Sequence, residues 1–304
     1  MKKLNKKVKK DVNIFWQDLT KHTVYTIFLI ILTSLIAYFL ITTTVKKILS
    51  APATPQEELY TEKGSPYDNS TIEGDSAQVV FHGSRDKKQI ALTFDAEMTD
   101  GMKANLLSGK VKSSYDKRII DILNKTHTKA TLFLTGMWIE LYPDVTRELA
   151  NNPLFEIGSH SYTDSSYHGY CYGLKQIPST LAIEEIGATE KLLREHAGID
   201  NKLFRFPGGC YTPDDVKLVS QANDLVVHWD VVGADGFNTN TQQIVNNVVN
   251  NAQNGSIIVL HMNGEPTAPK TADALAEIIS KLKSKGYEFV KVNELLNIPP
   301  ETRE

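Results

Sequence analysis

The feature of this sequence that most constrains its fold is an alternation of β-rich runs with amphipathic segments, which begins near residue 85. Seven short runs rich in β-branched and other apolar residues occur at 90–94, 130–135, 155–158, 203–206, 225–232, 256–261 and 287–292. Amphipathic segments of helical period lie between them, at 115–124, 180–196, 214–222, 242–252 and 272–285. Repeated strand–helix units predict an α/β domain with a parallel sheet, either a distorted (β/α) barrel of about seven strands or a doubly wound sheet.

The ends of this domain follow from composition. Residues 281–286, K-L-K-S-K-G, form a lysine-rich, glycine-terminated helix end that leads into the last strand. The predicted domain therefore covers 85–298 and leaves 299–304 as a short tail. The segment 46–84 contains several prolines, few apolar residues and no period, which is typical of a linker.

A long uncharged run near the N-terminus predicts a membrane anchor. Residues 24–45 carry no charge, and as a helix they would span about 33 Å, enough for the apolar core of a bilayer. The alternative is a cleaved signal peptide, whose apolar region is usually ~7–15 residues. Six lysines in the first ten residues place the tail 1–23 in the cytoplasm and everything after the anchor outside. The net charge of −3 argues against a nucleic-acid partner.

The chain has two cysteines, Cys171 and Cys210. In an extracytoplasmic compartment a disulfide between them is permitted, and two buried free thiols are the alternative.

Polar side chains stand where the predicted strands end. Asp95, His160, Arg205 and His261 each lie at or directly after the end of a strand, and Asp235 follows the strand at 225–232. In a parallel α/β barrel these ends share one face, and that face carries the active site. Each residue alone is compatible with a turn or a cap, but five together favour a functional site.

Five short motifs in this order resemble the polysaccharide deacetylase (NodB homology) family, carbohydrate esterase family four. They are T-F-D-A-E at 93–97, H-S-Y-T-D at 160–164, R-F-P-G-G at 205–209, W-D-V-V-G-A-D-G at 229–236 and I-V-L-H at 258–261. The resemblance covers about two thirds of the chain, and it implies a distorted barrel and hydrolysis of acetyl groups on a glycan.

The resemblance also implies roles, carried over by position. Asp95 would be the catalytic base and His261 the catalytic acid. Arg205 would orient and pair with the base, Asp235 would pair with the acid, and His160 would be a metal ligand. A metal-bound water attacks the acetyl carbonyl in such a site, and zinc is the expected ion, with manganese, cobalt or magnesium as alternatives.

The sequence departs from the family at the metal. Ala96 stands where the family has a second aspartate, and Asp164 where it has a second histidine; Gly236, with Phe237 beside it, replaces a tryptophan. His160 and Asp164 with one further ligand or water then remain as the candidate site, and a site that binds metal poorly or not at all is the alternative. Glu97 has a longer carboxylate, although on an extended strand it would point away from the side of Ala96, and His168 is a further candidate.

The loop 165–174 is tyrosine-rich. Aromatic faces stack on sugar rings, and packing of the loop itself is the alternative. A Cys171–Cys210 bridge would pin this loop beside the site, and 98–113 is a second expected rim loop. The resemblance further implies that Leu260 lines a pocket for the acetyl methyl group. The remaining expected substrate contacts are Tyr167, Tyr170, Tyr172, Gly208 and Tyr211.

The sequence therefore predicts a membrane-anchored, extracytoplasmic, metal-dependent deacetylase. Its substrate would be an acetylated polysaccharide such as peptidoglycan or a chitin-like oligomer, cleaved at N-acetyl or O-acetyl groups. The alternative is a non-catalytic glycan-binding domain of the same fold that has lost its metal. Retention of a base–acid pair favours the enzyme, because binding alone does not require one.

Overall fold

The computed structural model describes Thr33, residues 78–300 and residues 302–303. Thr33, which is helical, belongs to one unit of the chain, Met1–Lys63, and the other described residues to a second, Gly64–Glu304. The predicted tail at 1–23, the rest of the predicted membrane helix and the linker as far as residue 77 lie outside the described residues. Among those that are described, no helix has both the length and the apolar character needed to cross a bilayer.

The second unit alternates strands and helices. Its strands are β1 (Val79–Val80), β2 (Gln89–Ala96), β3 (Ala130–Leu134), β4 (Phe155–Ser159), β5 (Ile199–Asp200), β6 (Leu203–Phe204), β7 (Leu225–Val227), β8 (Val231–Val232), β9 (Ile257–His261), β10 (Glu288–Phe289) and β11 (Thr302–Arg303). Its α-helices are α1 (Asp100–Leu107), α2 (Lys117–Thr126), α3 (Gly136–Leu141), α4 (Pro143–Asn151), α5 (Ala182–Ala197), α6 (Pro213–Gln221), α7 (Thr241–Asn251), α8 (Thr271–Ser284) and α9 (Val292–Leu296). Two short 3₁₀ turns occur at Ser179–Leu181 and Pro207–Gly209.

The main sheet is parallel and forms a half-barrel. Its strand order is β1-β7-β6-β4-β3-β2-β9-β8, and β10 pairs with the first residues of β2. Every strand pair in this sheet is parallel, and β11 and β5 form a separate antiparallel pair. The register sets Asp95 beside Phe133 on one side and beside His261 on the other. The central strand β2 therefore carries Asp95 into the middle of the edge where the strands end.

The segment predicted as one strand at 225–232 forms two. β7 pairs with β1 and β6, whereas β8 pairs with β9 at the opposite end of the sheet. Between them the His228 N–H donates to the carbonyl of Val80 (2.7 Å) and the Asp230 N–H to that of Ile257 (3.2 Å). The chain thus crosses from one edge of the sheet to the other, which a continuous apolar run cannot reveal.

Two layers of apolar side chains hold the half-barrel. The larger packs one face of the sheet against the helices and includes Leu92, Phe94, Trp138, Leu260 and Leu275. A smaller cluster fills the other face and includes Ala91, Phe133, Leu203, Val227 and Ile257. Because side chains alternate along a strand, odd and even positions of β2 and β9 belong to different layers. Asp95 and His261 share the face of the smaller cluster.

Several elements lie where the sequence predicts none. β1 joins the sheet at Val79, before the predicted start of the domain at 85. Helix α1 occupies much of the predicted rim loop 98–113, where Thr99 caps its first turn by accepting from the Met102 N–H. Thr302–Arg303, within the predicted tail, pairs with Ile199–Asp200. Helices α3, α4 and α9 also lie outside the predicted helical segments.

Candidate active site and metal cluster

Asp95 and Arg205 form a buried ion pair at the end of the central strand. Arg205 is 1% exposed, and its Nη1 donates to Asp95 Oδ1 at 2.7 Å. The same guanidinium donates to Thr93 Oγ1 (2.8 Å) and to the carbonyl of Val227 (3.1 Å), and lies 4.0 Å from the centroid of the Phe133 ring. A buried charge costs several kcal/mol unless it is paired and hydrogen-bonded, and here both conditions are met.

Asp235 and His261 form a second pair, at the end of β9, the strand that neighbours β2. Asp235 Oδ1 lies 2.8 Å from His261 Nδ1, and Oδ2 accepts from the His261 N–H (2.8 Å) and from Thr271 Oγ1 (2.5 Å). Burial alone would lower the pKa of His261, but the Asp235 and Glu97 carboxylates raise that pKa well above its usual value. Burial would likewise raise the pKa of Asp235, and its contacts with His261 lower it instead. The pair is therefore an imidazolium and a carboxylate.

Three further side chains converge between these pairs. Ligand atoms of Glu97, His160 and Asp164 all lie within 4.8 Å of one another. His160 Nε2 is 3.7 Å from Asp164 Oδ1 and 4.0 Å from Asp95 Oδ2, and Glu97 Oε1 is 3.3 Å from His261 Nε2. We call Glu97, His160 and Asp164 the metal cluster.

The donor atoms of this cluster fit a divalent cation. His160 Nδ1 lies 3.0 Å from the carbonyl of Arg205, and because a carbonyl only accepts, Nδ1 carries the proton and Nε2 presents a lone pair. That Nε2 and Asp164 Oδ1 are both buried without a hydrogen-bond partner in the protein. Such orphaned buried acceptors are costly, and a cation would satisfy both at once. One imidazole and two carboxylates are competent ligands for zinc.

Burial also dominates the proton equilibria of the cluster. It lowers the pKa of His160 and raises the pKa of Asp164 well above its usual value, the second with help from the Glu97 charge. Both shifts favour the neutral form of the side chain, because a buried charge without a partner is costly.

Glu97 lies in the cluster because the pocket is on the side of β2 opposite Ala96. Strand β2 ends at Ala96, and Glu97 is held beyond it by Asn263. The Asn263 amide accepts from the Glu97 N–H (3.1 Å) and donates to the Glu97 carbonyl (2.7 Å). Ala96 itself is fully buried in the layer beneath the helices. Asp95 and Glu97 therefore face the pocket while Ala96 faces the helices, as strand alternation predicts. What was wrong was the expectation that a metal ligand must come from the side of Ala96.

The tyrosine loop is joined to the site by a disulfide. Cys171 and Cys210 are bonded, with their Cα atoms 6.0 Å apart, and Cys171 is completely buried. Tyr170 and Tyr172, on either side of Cys171, are 75% and 66% exposed. Gly208, expected to contact substrate, adopts a left-handed φ of 61°, and a Cβ there would lie 2.5 Å from Cys171 Sγ. Glycine is thus required for the disulfide to approach the Pro207–Gly209 turn.

Two of the expected substrate contacts are buried in packing layers. Leu260 is fully buried beneath the helices and lies on the other face of β9 from His261. It therefore cannot line a pocket with His261; Val259, two residues before His261, shares that face. Tyr167 is 3% exposed and packs edge-on against Phe204 and Phe206, so its ring face is closed to a sugar.

His168 and Tyr211 have different surroundings. His168 is exposed and lies outside the metal cluster, so it is not one of the clustered ligands. Tyr211 is half-buried and stacks on Phe206 with centroids 5.3 Å apart.

Several supporting residues were not found from the sequence. Thr93 accepts a hydrogen bond from Arg205, and Thr271 donates one to Asp235. Asn263 accepts from the Glu97 N–H. Glu185 accepts from the backbone between His160 and Asp164. Glu185 lies 22 or more residues from the groups it supports, so only the fold brings them together. Asn263 could have been identified as a site residue from the sequence, because it lies two residues after His261.

Comparison with known proteins gives one consistent result. The sequence profile of the polysaccharide deacetylase family matches residues 82–226. A peptidoglycan-N-acetylglucosamine deacetylase of Bacillus cereus is 29% identical over 224 residues, which is 74% of this chain and 74% of that protein.

Solved structures share the fold. The crystal structure of a peptidoglycan N-acetylglucosamine deacetylase bound to a hydroxamate-type benzamide superposes with a TM-score of 0.62 at 28% identity, covering 74% of this chain and 95% of the other. A family-four carbohydrate esterase pseudoenzyme from Bacillus anthracis gives a TM-score of 0.59 at 23% identity over 73% of this chain and 70% of the other. At that identity the likeness shows the fold alone.

Proposed function

This chain belongs to the polysaccharide deacetylase family and is a carbohydrate deacetylase, a hydrolase of carbon–nitrogen bonds other than peptide bonds, and from that premise we propose a specific reaction. The protein removes N-acetyl groups, or as a variant O-acetyl groups, from an extracytoplasmic glycan in a metal-dependent reaction. Peptidoglycan N-acetylglucosamine is the first candidate substrate, because the cited relatives act on it. N-acetylmuramic acid and chitin-like oligomers are the next to test.

One observation carries this proposal. A buried carboxylate, Asp95, and the Asp235-paired imidazole of His261 end two neighbouring strands beside a cluster whose His160 Nε2 and Asp164 Oδ1 have no protein partner. Glycan binding alone requires neither a paired base nor a paired acid. The arrangement supports proton transfer at both ends of one reacting group.

The residues of the chain divide the chemistry between them. Glu97, His160 and Asp164 would hold a divalent cation, zinc by ligand type, which supplies a Lewis acid for the acetyl carbonyl and acidifies a water. Asp95 takes the proton of the attacking water, and Arg205 holds that carboxylate in place through a 2.7 Å hydrogen bond. His261 donates its Nε2 proton to the departing amine, while Asp235 fixes the ring through Nδ1.

The substrate approaches past the disulfide loop. Tyr170 and Tyr172 present exposed aromatic faces on a loop that the Cys171–Cys210 bond fixes to the chain just after Arg205. Flat aromatic rings with a hydroxyl suit the apolar face and polar rim of a sugar. Tyr211, Gly208 and these two tyrosines would then line the approach.

The protein acts outside the cytoplasm, anchored by the uncharged run 24–45. The disulfide supports this location, because such bonds persist in oxidising compartments. The six lysines before the run support a cytoplasmic N-terminus.

Acetate release by the purified full chain tests the function. Peptidoglycan fragments and N-acetylated chito-oligomers are incubated with the protein, with and without a zinc chelator, and acetate is measured enzymatically. We expect release that the chelator abolishes and zinc restores. Absence of acetate from every substrate after zinc addition, with glycan binding retained, would support the non-catalytic alternative instead.

A further inference from the structure

A single carboxylate, Glu185 on α5, braces the segment that joins His160 to Asp164. It accepts from the backbone N–H groups of Tyr162 (3.1 Å) and Thr163 (2.8 Å). It also accepts from the hydroxyls of Ser161 (3.0 Å) and Thr163 (2.9 and 3.1 Å). All three residues between the two cluster ligands are therefore bonded to one side chain from a distant helix.

The segment needs such a support, because its backbone is bent into unusual conformations. Ser161 has φ 65° and Asp164 has φ 55°, both in the left-handed region that side chains rarely adopt. Residues stay in this region only when their surroundings fix them. The bend aims two consecutive N–H groups at one point, and the Glu185 carboxylate occupies that point.

Other contacts fix the outer side of the same segment. The Ser161 carbonyl accepts from the Gly136 N–H (2.9 Å) and from Thr189 Oγ1 (2.8 Å). The Tyr162 carbonyl accepts from the Met137 N–H (3.0 Å). Helix α3 thus holds the carbonyls, and Glu185 holds the N–H groups.

The consequence lies at the metal cluster. His160 and Asp164 end the braced segment, and their two unpartnered atoms, Nε2 and Oδ1, lie 3.7 Å apart. Without the brace, the N–H groups of Tyr162 and Thr163 would seek other acceptors and the bend would relax. A relaxed bend would change the separation of the two ligands, because they are the residues at its two ends.

We propose that Glu185 is a positioning residue that sets His160 and Asp164 at a metal-binding separation. The proposal rests on the metal-dependent function proposed above and extends it to a residue outside the five motifs. Glu185 touches neither the cluster nor the substrate approach. Its effect passes through the backbone and hydroxyl groups of residues 161–163.

The zinc dissociation constant of the full chain tests this role, measured by competition with a chromophoric chelator. Glu185→Gln removes the charge and keeps one acceptor, and Glu184→Gln, an exposed neighbour on the same helix, is the matched control. We expect Glu185→Gln to weaken zinc binding about 10- to 100-fold and Glu184→Gln to leave it unchanged. Equal zinc affinity in Glu185→Gln and wild type would overturn the proposal.

The wild-type measurement separates this proposal from the function it rests on. A wild-type chain that binds no zinc overturns the metal-dependent function, and with it the role of Glu185. A wild-type chain that binds zinc, with Glu185→Gln binding equally well, overturns the positioning role alone. A purely structural brace would lower the melting temperature and leave the affinity of the folded protein intact.

A second variant serves if Glu185→Gln does not fold. Thr163→Val removes the hydroxyl that bonds Glu185 and keeps both the size of the side chain and the backbone N–H. We expect a smaller loss of zinc affinity, about 3- to 10-fold, since hydrogen bonds to a charged group are the stronger ones. Unchanged affinity in folded Thr163→Val would also contradict the proposal.

Discussion

The two sides of the pocket differ in how their buried charged and polar groups are compensated. On the proton-transfer side, Asp95 is paired with Arg205 and Asp235 with His261, and further hydrogen bonds support both pairs. In the metal cluster, His160 Nε2 and Asp164 Oδ1 have no protein partner. On the proton-transfer side the buried charges are compensated within the protein. In the metal cluster the two unpartnered atoms need a cation to satisfy them.

The residues of the two ion pairs can transfer protons themselves, whereas the metal cluster would act through the cation that it binds. A buried ion pair with its hydrogen bonds made holds its charges in a fixed geometry, ready for proton transfer. Buried acceptors without donors are destabilising by themselves. They are retained where something outside the chain satisfies them, so the cluster is the part of the pocket that depends on what it binds.

The largest expected effect is on the proton-transfer side. Asp95→Asn keeps an acceptor for Arg205 but removes the base, so the turnover rate should fall about 10²- to 10⁴-fold. Acetate release measures the rate, and zinc content should remain as in wild type. A variant with wild-type turnover would show that Asp95 is not the base.

The second prediction tests the metal cluster independently of the two ion pairs. His160→Ala should abolish stoichiometric zinc, measured by mass spectrometry after gel filtration, and should abolish turnover with it. Zinc at 100 times its dissociation constant should stabilise wild type by about 2.7 kcal/mol and should not stabilise His160→Ala. Full zinc content in the folded variant would place the ligands elsewhere.

A third prediction concerns pH and the acid. Because the Asp235 and Glu97 carboxylates raise the pKa of His261 well above its usual value, the imidazolium persists to alkaline pH. The stability it contributes is fully present below the unfolded pKa of about 6.5 and is lost as pH rises through the folded pKa. In Asp235→Asn the alkaline limb of the turnover profile should move to lower pH. An unmoved limb would contradict the pairing.

The smallest expected effect tests whether orphaned buried oxygens always imply a cation. Asp224 Oδ1 and Glu190 Oε1 also lack a protein donor, but here the two carboxyls are partners of each other, and the raised pKa of Asp224 favours a proton between them. Burial, followed by the Glu190 carboxyl, raises the pKa of Asp224 to about 9. The folded protein therefore holds a proton that the unfolded chain releases above about pH 4, so the free energy of unfolding falls as pH rises from 4 to 9.

Asp224→Asn should remove this dependence, because its amide donates to Glu190 without a proton. We expect a higher melting temperature than wild type at pH 8, by about 2–4 °C for each kcal/mol gained, and little difference at pH 4. Zinc affinity should be unchanged. A melting temperature lowered equally at both pH values would contradict the shared proton.

The sequence predicted the fold where the pattern was local. The runs at 90–94, 130–135, 155–158 and 256–261 became β2, β3, β4 and β9, because period and β-branched residues act over a few positions. The prediction of a single strand at 225–232 was wrong, because an apolar pattern does not show which edge of a sheet each half will join. Helix α1 was missed because it buries no residue and so leaves no apolar stripe.

The site was predictable in its strand-end residues and not in its supports. Asp95, Arg205 and His261 were placed by the rule that parallel strands end at one edge. Alternation placed Glu97 opposite Ala96, as in the structure, but the sequence did not show that the pocket lies on that side or that Asn263 fixes the Glu97 backbone. Leu260 was assigned to the wrong face of β9, although alternation from His261 would have placed it correctly.

The most direct test of the central claim is an anomalous-scattering crystal structure of the chain grown with zinc. We expect one zinc peak bonded to His160 Nε2 and to the carboxylates of Asp164 and Glu97, with the Asp95–Arg205 and Asp235–His261 pairs unchanged. A peak bonded to other residues, or none in a chain that still releases acetate, would contradict it.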